Sequence, residues 1–317
     1  YAQTPQGFLF ASEIKALLQE PMVSREIDPI AVAHYLTYLW CPAPRTMLAG
    51  VKKLEPGMAM TLREGTIVRH WRFYDLPYGQ ERGALSEDSA VEAVRETVEQ
   101  AVGRQMVADV PVGAFLSGGL DSSAVVACAR QHTMERLQCF TIALDGGGAD
   151  VEGMVDDLPY AQRVAAFLGV DLHTVRVGPE MVDSLPDMIY HLDEPQADPA
   201  ALSALLICKL AREHGITVLL SGAGGDDIFT GYRRHVALQQ ERYWAWLPHA
   251  ARHGLSRLTS RLPTGVPVVR RLRRALEYAA LDGRERLVSY FYWLGPDSAR
   301  GLLAPELRSA LADGAVA

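Results

Sequence analysis

Blocks of apolar and polar positions alternate along the chain between residues 87 and 220. Short apolar runs of strand length stand between longer stretches whose apolar residues recur every three or four positions, as in helices that pack on a sheet. Strands that alternate with helices pair in parallel, so we predict an α/β fold, a parallel sheet with flanking helices. The predicted order is helix 87–103, strand 109–116, helix 122–131, strand 138–143, helix 160–168, strand 172–177, helix 201–213 and strand 217–220.

The last predicted strand, 217–220, has the sequence Thr-Val-Leu-Leu. It lacks the alternation of apolar and polar residues that is typical of a strand with one solvent-exposed face. We therefore predict that it is covered on both faces. The first 75 residues mix shorter elements. Segment 7–18 passes from a strand into a helix with Ser12 as the expected N-cap, and Asp28-Pro29 begins a second helix. A turn at 54–57 leads into strand-like stretches at 58–62 and 67–70.

A polar stretch that contains proline and glycine, 75–86, separates the two patterns. Ser86 stands directly before the helical pattern, where its side chain can cap the first turn. We therefore place a domain boundary in this stretch. One predicted domain covers 1–78, and the second covers 85–317.

Composition narrows the class of protein. The length of 317 residues suits about two domains, and 49% hydrophobic with 22% charged residues is typical of a soluble globular protein. The net charge of −7 argues against wholesale nucleic-acid binding, and no apolar run is long enough for a membrane span.

Four scattered cysteines without a CxxC pair favour reduced thiols and a cytoplasmic location. The arginine-rich stretch 252–274 is interpreted as a solvated helix face.

The strand ending at Leu116 runs into a loop and then a helix, with the sequence SGGLDSS at 117–123. Glycines let the main chain approach a ligand closely, and the helix N-terminus presents unsatisfied N–H groups, so the loop suits a phosphate group. The Lys of a GxxxxGK[ST] loop is absent, as is the GxGxxG pattern. Asp121 would repel phosphate unless a cation lay between them, which implies Mg²⁺.

A second loop, SGAGGDDIFTGY at 221–232, follows the strand at 217–220. In open α/β sheets the ligand lies at the carboxyl ends of the strands, so both loops are expected to meet across one nucleotide. Asp226 would then share the metal. Asp193 and Glu194 precede a proline in a loop, where they could position an amino acid or a metal or could be an exposed turn.

SGGLDSS resembles the pyrophosphate-binding loop of ATP pyrophosphatases, and the two loops together resemble the synthetase domain of glutamine-dependent asparagine synthetases. DVPVG at 109–113, DEP at 193–195, FASEIKALL at 10–18 and LEPG at 54–57 add to the resemblance. It implies an adenine nucleotide alpha hydrolase-like ATP pyrophosphatase fold, preceded by the C-terminal part of an α+β Ntn-type glutaminase domain. The expected catalytic residues are Asp121, Asp226 and Glu194; the expected metal ligands are Asp121 and Asp226; and the expected ATP contacts are Leu116, Ser117, Gly118, Gly119, Asp121, Ser122, Ser123, Ile142, Ser221 and Gly222.

The chain departs from the family pattern at three places. Ala223 stands where asparagine-forming members carry an acid in the second loop, and the Asp-Glu pair that follows is Asp226-Asp227. No N-terminal Cys nucleophile of a class II glutaminase is present, because Tyr1 aligns well inside that domain. No Lys lies beyond the second loop, although the family's catalytic Lys usually does. We therefore expect the protein's sequence to extend past both ends of this chain.

The resemblance implies that ATP and Mg²⁺ activate a carboxylate, with aspartate favoured, as an acyl adenylate. Ammonia from glutamine would then displace AMP to give asparagine. Two alternatives stay open. One is a ligase with another acceptor, such as a β-lactam synthetase-like or natural-product or polysaccharide enzyme, and the other is an inactive nucleotide-binding regulatory protein. The expected partners are small molecules, without nucleic acid or membrane; the oligomeric state, a homodimer included, is left open.

Overall fold

The computed structural model describes residues 1–77, 83, 85–144, 157–263 and 265–313. Part of the predicted boundary stretch 75–86 lies outside these ranges. Contacts between residues divide the chain into two compact units. Unit 1 comprises 1–76, 189–197 and 232–317, and unit 2 comprises 77–188 and 198–231. The predicted division into domains at 1–78 and 85–317 follows the sequence order and stays a prediction.

The N-terminal part of unit 1 consists of two antiparallel hairpins and two helices. Strand β1 (Ala2–Thr4) pairs with β2 (Gly7–Leu9). Helices α1 (Ile14–Leu17) and α2 (Pro29–Tyr38) follow. Strand β3 (Met58–Arg63) then pairs with β4 (Thr66–Arg72).

The two helix starts in this part differ from each other in how they are capped. The Asp28 side chain accepts hydrogen bonds from the amides of Ile30 and Ala31, as the sequence predicts. The predicted role of Ser12 is wrong, because the N-cap of α1 is Glu13 and its side chain makes no capping bond. Asp193 accepts from the first amides of α1 instead. A carboxylate from another segment is a stronger acceptor than a local hydroxyl.

Unit 2 is built on a parallel sheet, which confirms the predicted α/β class. Helix α3 (Glu87–Gln105) begins after Ser86, whose hydroxyl accepts from the Ser89 amide at 3.2 Å. In the described residues the strand order is β7-β6-β5-β8, with all three pairings parallel. The elements are β5 (Val112–Phe115), α4 (Leu120–Arg130), β6 (Gln138–Leu144), α5 (Leu158–Leu168), β7 (Asp171–Val177), α6 (Leu185–Leu192), α7 (Ala200–Glu213) and β8 (Val218–Leu220). The last turn of α6, from Ile189 on, belongs to unit 1.

Helices cover both faces of this sheet. On one face, α3, α4 and α5 bury a cluster around Ala114, Val126 and Cys139. On the other face, α7 places Ile207 against Phe140. Cys139 and Phe140 are neighbours whose side chains point to opposite faces, as strand geometry requires.

The strand β8 differs from its prediction. It lies at the edge of the described sheet, next to β5, and Val218 at its start is 37% exposed while Leu220 at its end is buried. The predicted coverage of both faces is therefore correct only near the carboxyl end. A short apolar run does not by itself separate a central strand from an edge strand.

Helices dominate the chain beyond the second loop. Helix α8 (Gly225–Ile228) lies within the second loop, and the helices beyond it are α9 (Arg233–Gln240), α10 (His249–Ser260), α11 (Pro267–Leu276), α12 (Gly283–Ser289), α13 (Pro296–Leu302) and α14 (Pro305–Asp313). The predicted solvated arginine face is wrong for Arg252, whose side chain is buried and donates to the carbonyls of Ala279 and Leu281 and to the Asp282 carboxylate. This arginine joins α10 to the segment before α12 because its planar donors satisfy several acceptors at once.

All four cysteines are free thiols, as the sequence predicts. Within the part of the chain that the structure describes, the helices are too short or too polar to cross a bilayer.

Candidate nucleotide site at the carboxyl ends of the strands

The first loop connects β5 to α4 and is braced by its own hydroxyls. Leu116 is buried, and its amide donates to the Phe140 carbonyl at 3.0 Å, which anchors the loop to the neighbouring strand. The Ser117 and Ser122 hydroxyls lie 3.0 Å apart, and the Ser122 hydroxyl also donates to the Gly119 carbonyl at 3.3 Å. The amide nitrogens at the start of α4 are thereby held at the mouth of the loop, where helix N-termini bind anions.

Gly118 is required by the loop for two separate reasons. Its φ of +79° lies in the left-handed region that other residues avoid. A Cβ atom at this position would lie 2.5 Å from the Ala161 amide nitrogen, at the start of α5. The loop and α5 therefore pack backbone against backbone.

We expect Gly118→Ala to destabilise the protein by at least about 1 kcal/mol more than Gly215→Ala, because overpacking a tight contact typically costs about 1–3 kcal/mol. Gly215 is a matched control, since its φ is +75° but a Cβ there meets nothing within 4 Å. Both substitutions carry the same backbone strain, and only the first adds a clash with α5. Urea unfolding of the two variants measures the difference, and equal losses would contradict the tight contact.

The second loop follows β8 and touches the first. β8 pairs with β5 so that Leu220 lies opposite Ala114, which places both loops at the same edge of the sheet. A Cβ atom on Gly222 would lie 2.7 Å from the Ser122 amide nitrogen. A Cβ atom on Gly225 would lie 2.5 Å from the Asp121 carboxylate. The two glycines therefore leave just enough room for Asp121 and the start of α4.

Two carboxylates stand at this junction of loops, those of Asp121 and Asp226. Both are half-buried. In the described ranges neither forms an ion pair with a lysine, an arginine or a histidine. Gly231 lies close against the Asp226 side chain, and a Cβ atom there would overlap its carboxylate. Half-buried carboxylates without a basic partner attract cations.

The other predicted site residues are distributed between the two units. Ser221 accepts from the Ala223 amide at 3.1 Å and belongs to the second loop. Ile142 lies on β6, where it packs on the cluster around Phe140, on the α7 face of the sheet. Glu194 lies in unit 1, where its carboxylate accepts from the Met47 amide and pairs with Lys53.

Sequence reasoning did not single out Gly225, Gly231 or Thr230. The two glycines make room for the carboxylates of Asp121 and Asp226. Thr230 adopts a φ of +62°, which is unusual for a β-branched residue. A signal was present for the two glycines, because both lie in the glycine-rich second loop together with Asp226.

The fold and the paired loops define an α/β domain with two glycine-rich loops at the carboxyl ends of its parallel strands. The asparagine synthase family matches residues 93–306, and the glutamine amidotransferase domain family matches residues 1–74. The chain belongs to the asparagine synthase family.

Curated relatives agree with the family match. Asparagine synthetase [glutamine-hydrolyzing] 1 of Bacillus subtilis is 32% identical over 81% of this chain, which spans only 39% of that relative's length. Amidase chry2 of Gibberella zeae is 31% identical over 73% of the chain and 36% of its own length. Among solved structures, the NH3-dependent NAD synthetase of Campylobacter jejuni aligns with a TM-score of 0.31 and 10% identity over 61% of this chain and 97% of its own.

Proposed function

We propose that the protein catalyses ATP-dependent amide formation with ammonia taken from glutamine. The observation that carries the proposal is the contact between two glycine-rich loops around Asp121, in a chain of the asparagine synthase family. The residues within 85–317 would supply the adenylating domain, and those within 1–78 would be the C-terminal part of the glutaminase domain.

In the proposed reaction the substrate carboxylate, with aspartate favoured, attacks the α phosphate of ATP. The new bond gives an acyl adenylate, and the broken bond releases pyrophosphate. Ammonia then attacks the acyl carbon and displaces AMP, while the ammonia loses a proton. Ser117, Gly118, Gly119, Ser122 and Ser123 would hold the leaving pyrophosphate through main-chain amides and hydroxyls. Leu116, Ile142, Ser221 and Gly222 would border the nucleotide.

The donor set at the loop junction fits Mg²⁺. Magnesium in nucleotide sites is usually held by one or two carboxylates together with substrate phosphates and water, without a cage made by protein alone. Asp121 and Asp226 would provide those carboxylates, and the described residues form no cluster of three or more protein ligands. The bound ion would neutralise the charge that develops on pyrophosphate. The role expected of Glu194 in catalysis stays a prediction.

A specific observation keeps a second acceptor in consideration. Ala223 in the second loop can neither titrate nor hydrogen-bond through its side chain, whereas the resemblance places an acid there. Relatives at similar identity include a protein named as an amidase. The alternative function is therefore amide formation on a different carboxylate, by the same adenylation.

The test is product analysis with the intact protein supplied with ATP, magnesium, glutamine and aspartate. We expect one AMP, one pyrophosphate, one asparagine and one glutamate per turnover. Formation of ADP and phosphate would overturn the proposed adenylation. AMP formation that needs a carboxylate other than aspartate would select the alternative acceptor, and nucleotide binding without AMP formation would identify a binding protein.

A further inference from the structure

One chain segment, 189–197, lies inside the asparagine synthase match but belongs to the same compact unit as the residues of the amidotransferase match. It comprises the last turn of α6 and most of the chain that leads from α6 to α7. Helix α7 packs on β6 and β7 and leads through β8 to the second loop. The segment is therefore continuous with the part of unit 2 that carries the candidate site.

Asp193 attaches this segment to α1. One carboxylate oxygen accepts from the Ile14 amide at 2.7 Å, and the other accepts from the Lys15 amide at 3.3 Å and from the Lys15 ammonium at 2.9 Å. Burial alone would raise the pKa of Asp193, but these hydrogen bonds outweigh burial and hold the pKa below its ordinary value. The residue adopts a φ of +63°, an unfavourable conformation that persists because its contacts on α1 hold it.

Glu194 attaches the segment at a second point. Its carboxylate accepts from the Met47 amide at 2.8 Å and forms an ion pair with Lys53. The Lys53 ammonium also donates to the Cys41 carbonyl at 2.7 Å, so both partners are held in place. A third attachment is made by the main chain, where the Ala197 amide donates to the Leu39 carbonyl at 3.0 Å.

These contacts are more specific than an ordinary surface ion pair. The side chains of Asp193 and Glu194 are only 11% and 12% exposed, so solvent and salt screen their charges weakly. Asp193 binds two main-chain amides and one lysine of the amidotransferase part, and Glu194 binds one main-chain amide and one lysine. The comparable pair in unit 2, Lys209 with Asp187, is 45% and 62% exposed and joins two helices near the surface.

We propose that Asp193 and Glu194 are positioning residues that couple glutamine use to adenylation, by fixing the chain between α6 and α7 to the amidotransferase part. This inference rests on the proposed function. The segment leads directly into α7. Loosening it would therefore let ammonia be released from glutamine at times when the adenylating loops are not ready to use it. Glutamine hydrolysis and adenylation would each still occur.

The experiment uses the intact protein with Asp193→Asn and Lys53→Met, singly and together, because each change removes the charge at one attachment point and nearly keeps the shape of the side chain. With ammonium salt as the nitrogen source, we expect product formation within about twofold of wild type. With glutamine, we expect product formation to fall about tenfold, in the range of ordinary coupling between sites. Glutamate formed per AMP should rise above one, because ammonia is released without use.

Two controls sharpen the result. Asp187→Asn removes an exposed acid of the same kind and should change neither rate. Adding Glu194→Gln to Lys53→Met should cause no further loss of the glutamine-dependent rate, because the two changes break one interaction. Equal loss of the ammonia- and glutamine-dependent rates, or loss of neither, would overturn the coupling while leaving the proposed function intact. A wild-type protein that forms no AMP with ammonium salt would overturn the proposed function first, and the coupling with it.

Discussion

Replacing Asp121 by Asn should lower AMP formation by the intact protein by about 10²- to 10³-fold, the typical effect of removing one electrostatic contact to a developing charge. Asn has nearly the same shape as Asp, so the close approach of Gly225 to this side chain is preserved. What is lost is the negative charge, and a neutral amide is a poorer ligand for magnesium than a carboxylate. Magnesium-dependent ATP affinity should fall together with the rate.

The measurement is ATP binding as a function of magnesium concentration, alongside AMP release. Glu135→Gln is the matched control, because Glu135 is an exposed acid of the same unit and its change should leave both quantities unaltered. Asp226→Asn should give a similar dependence on magnesium if both carboxylates hold one ion. An Asp121→Asn variant with wild-type magnesium dependence would refute the metal role.

The parts of this fold that sequence predicts well depend on local chemistry. Asp28 and Ser86 cap the helices that follow them, because a capping bond spans only two or three residues. The alternation of strands and helices predicts the parallel sheet for the same reason, since each element carries its own periodicity. The two loops are also predictable, because glycine and aspartate directly after a strand favour a loop over a continued strand.

The parts that sequence does not predict depend on residues distant in the chain. Ser12 is a reasonable N-cap by its position, yet Asp193 caps α1 from a separation of 179 residues. The sequence pattern predicts Arg252 as one arginine of a solvated face, and only the packed structure places four acceptors around it. A sequence motif likewise does not predict the partners of Glu194, since Met47 and Lys53 lie far from it in sequence.

Replacing Ala223 by Glu should raise asparagine formation from aspartate in the intact protein by about tenfold or more. General acid or base assistance by a positioned side chain is typically worth about 10²- to 10⁴-fold, and a methyl group supplies none. Ala223 is exposed on the second loop, two residues past Ser221, so a longer side chain finds room without repacking a core. The loop itself is kept, because the Ala223 amide would still donate to the Ser221 hydroxyl.

The decisive quantity is asparagine produced per AMP released, in the wild type, in Ala223→Glu and in Ala223→Gln. The glutamine variant has the same size without an acid, so it separates proton transfer from simple filling of space. If only the glutamate variant gains asparagine, the acid that the family resemblance implies is the missing group, and proton transfer limits asparagine formation in the wild type. If the wild type already forms one asparagine per AMP at an ordinary enzymatic rate and neither variant improves it, then residue 223 does not select the acceptor. In that case aspartate is the substrate and another group moves the proton.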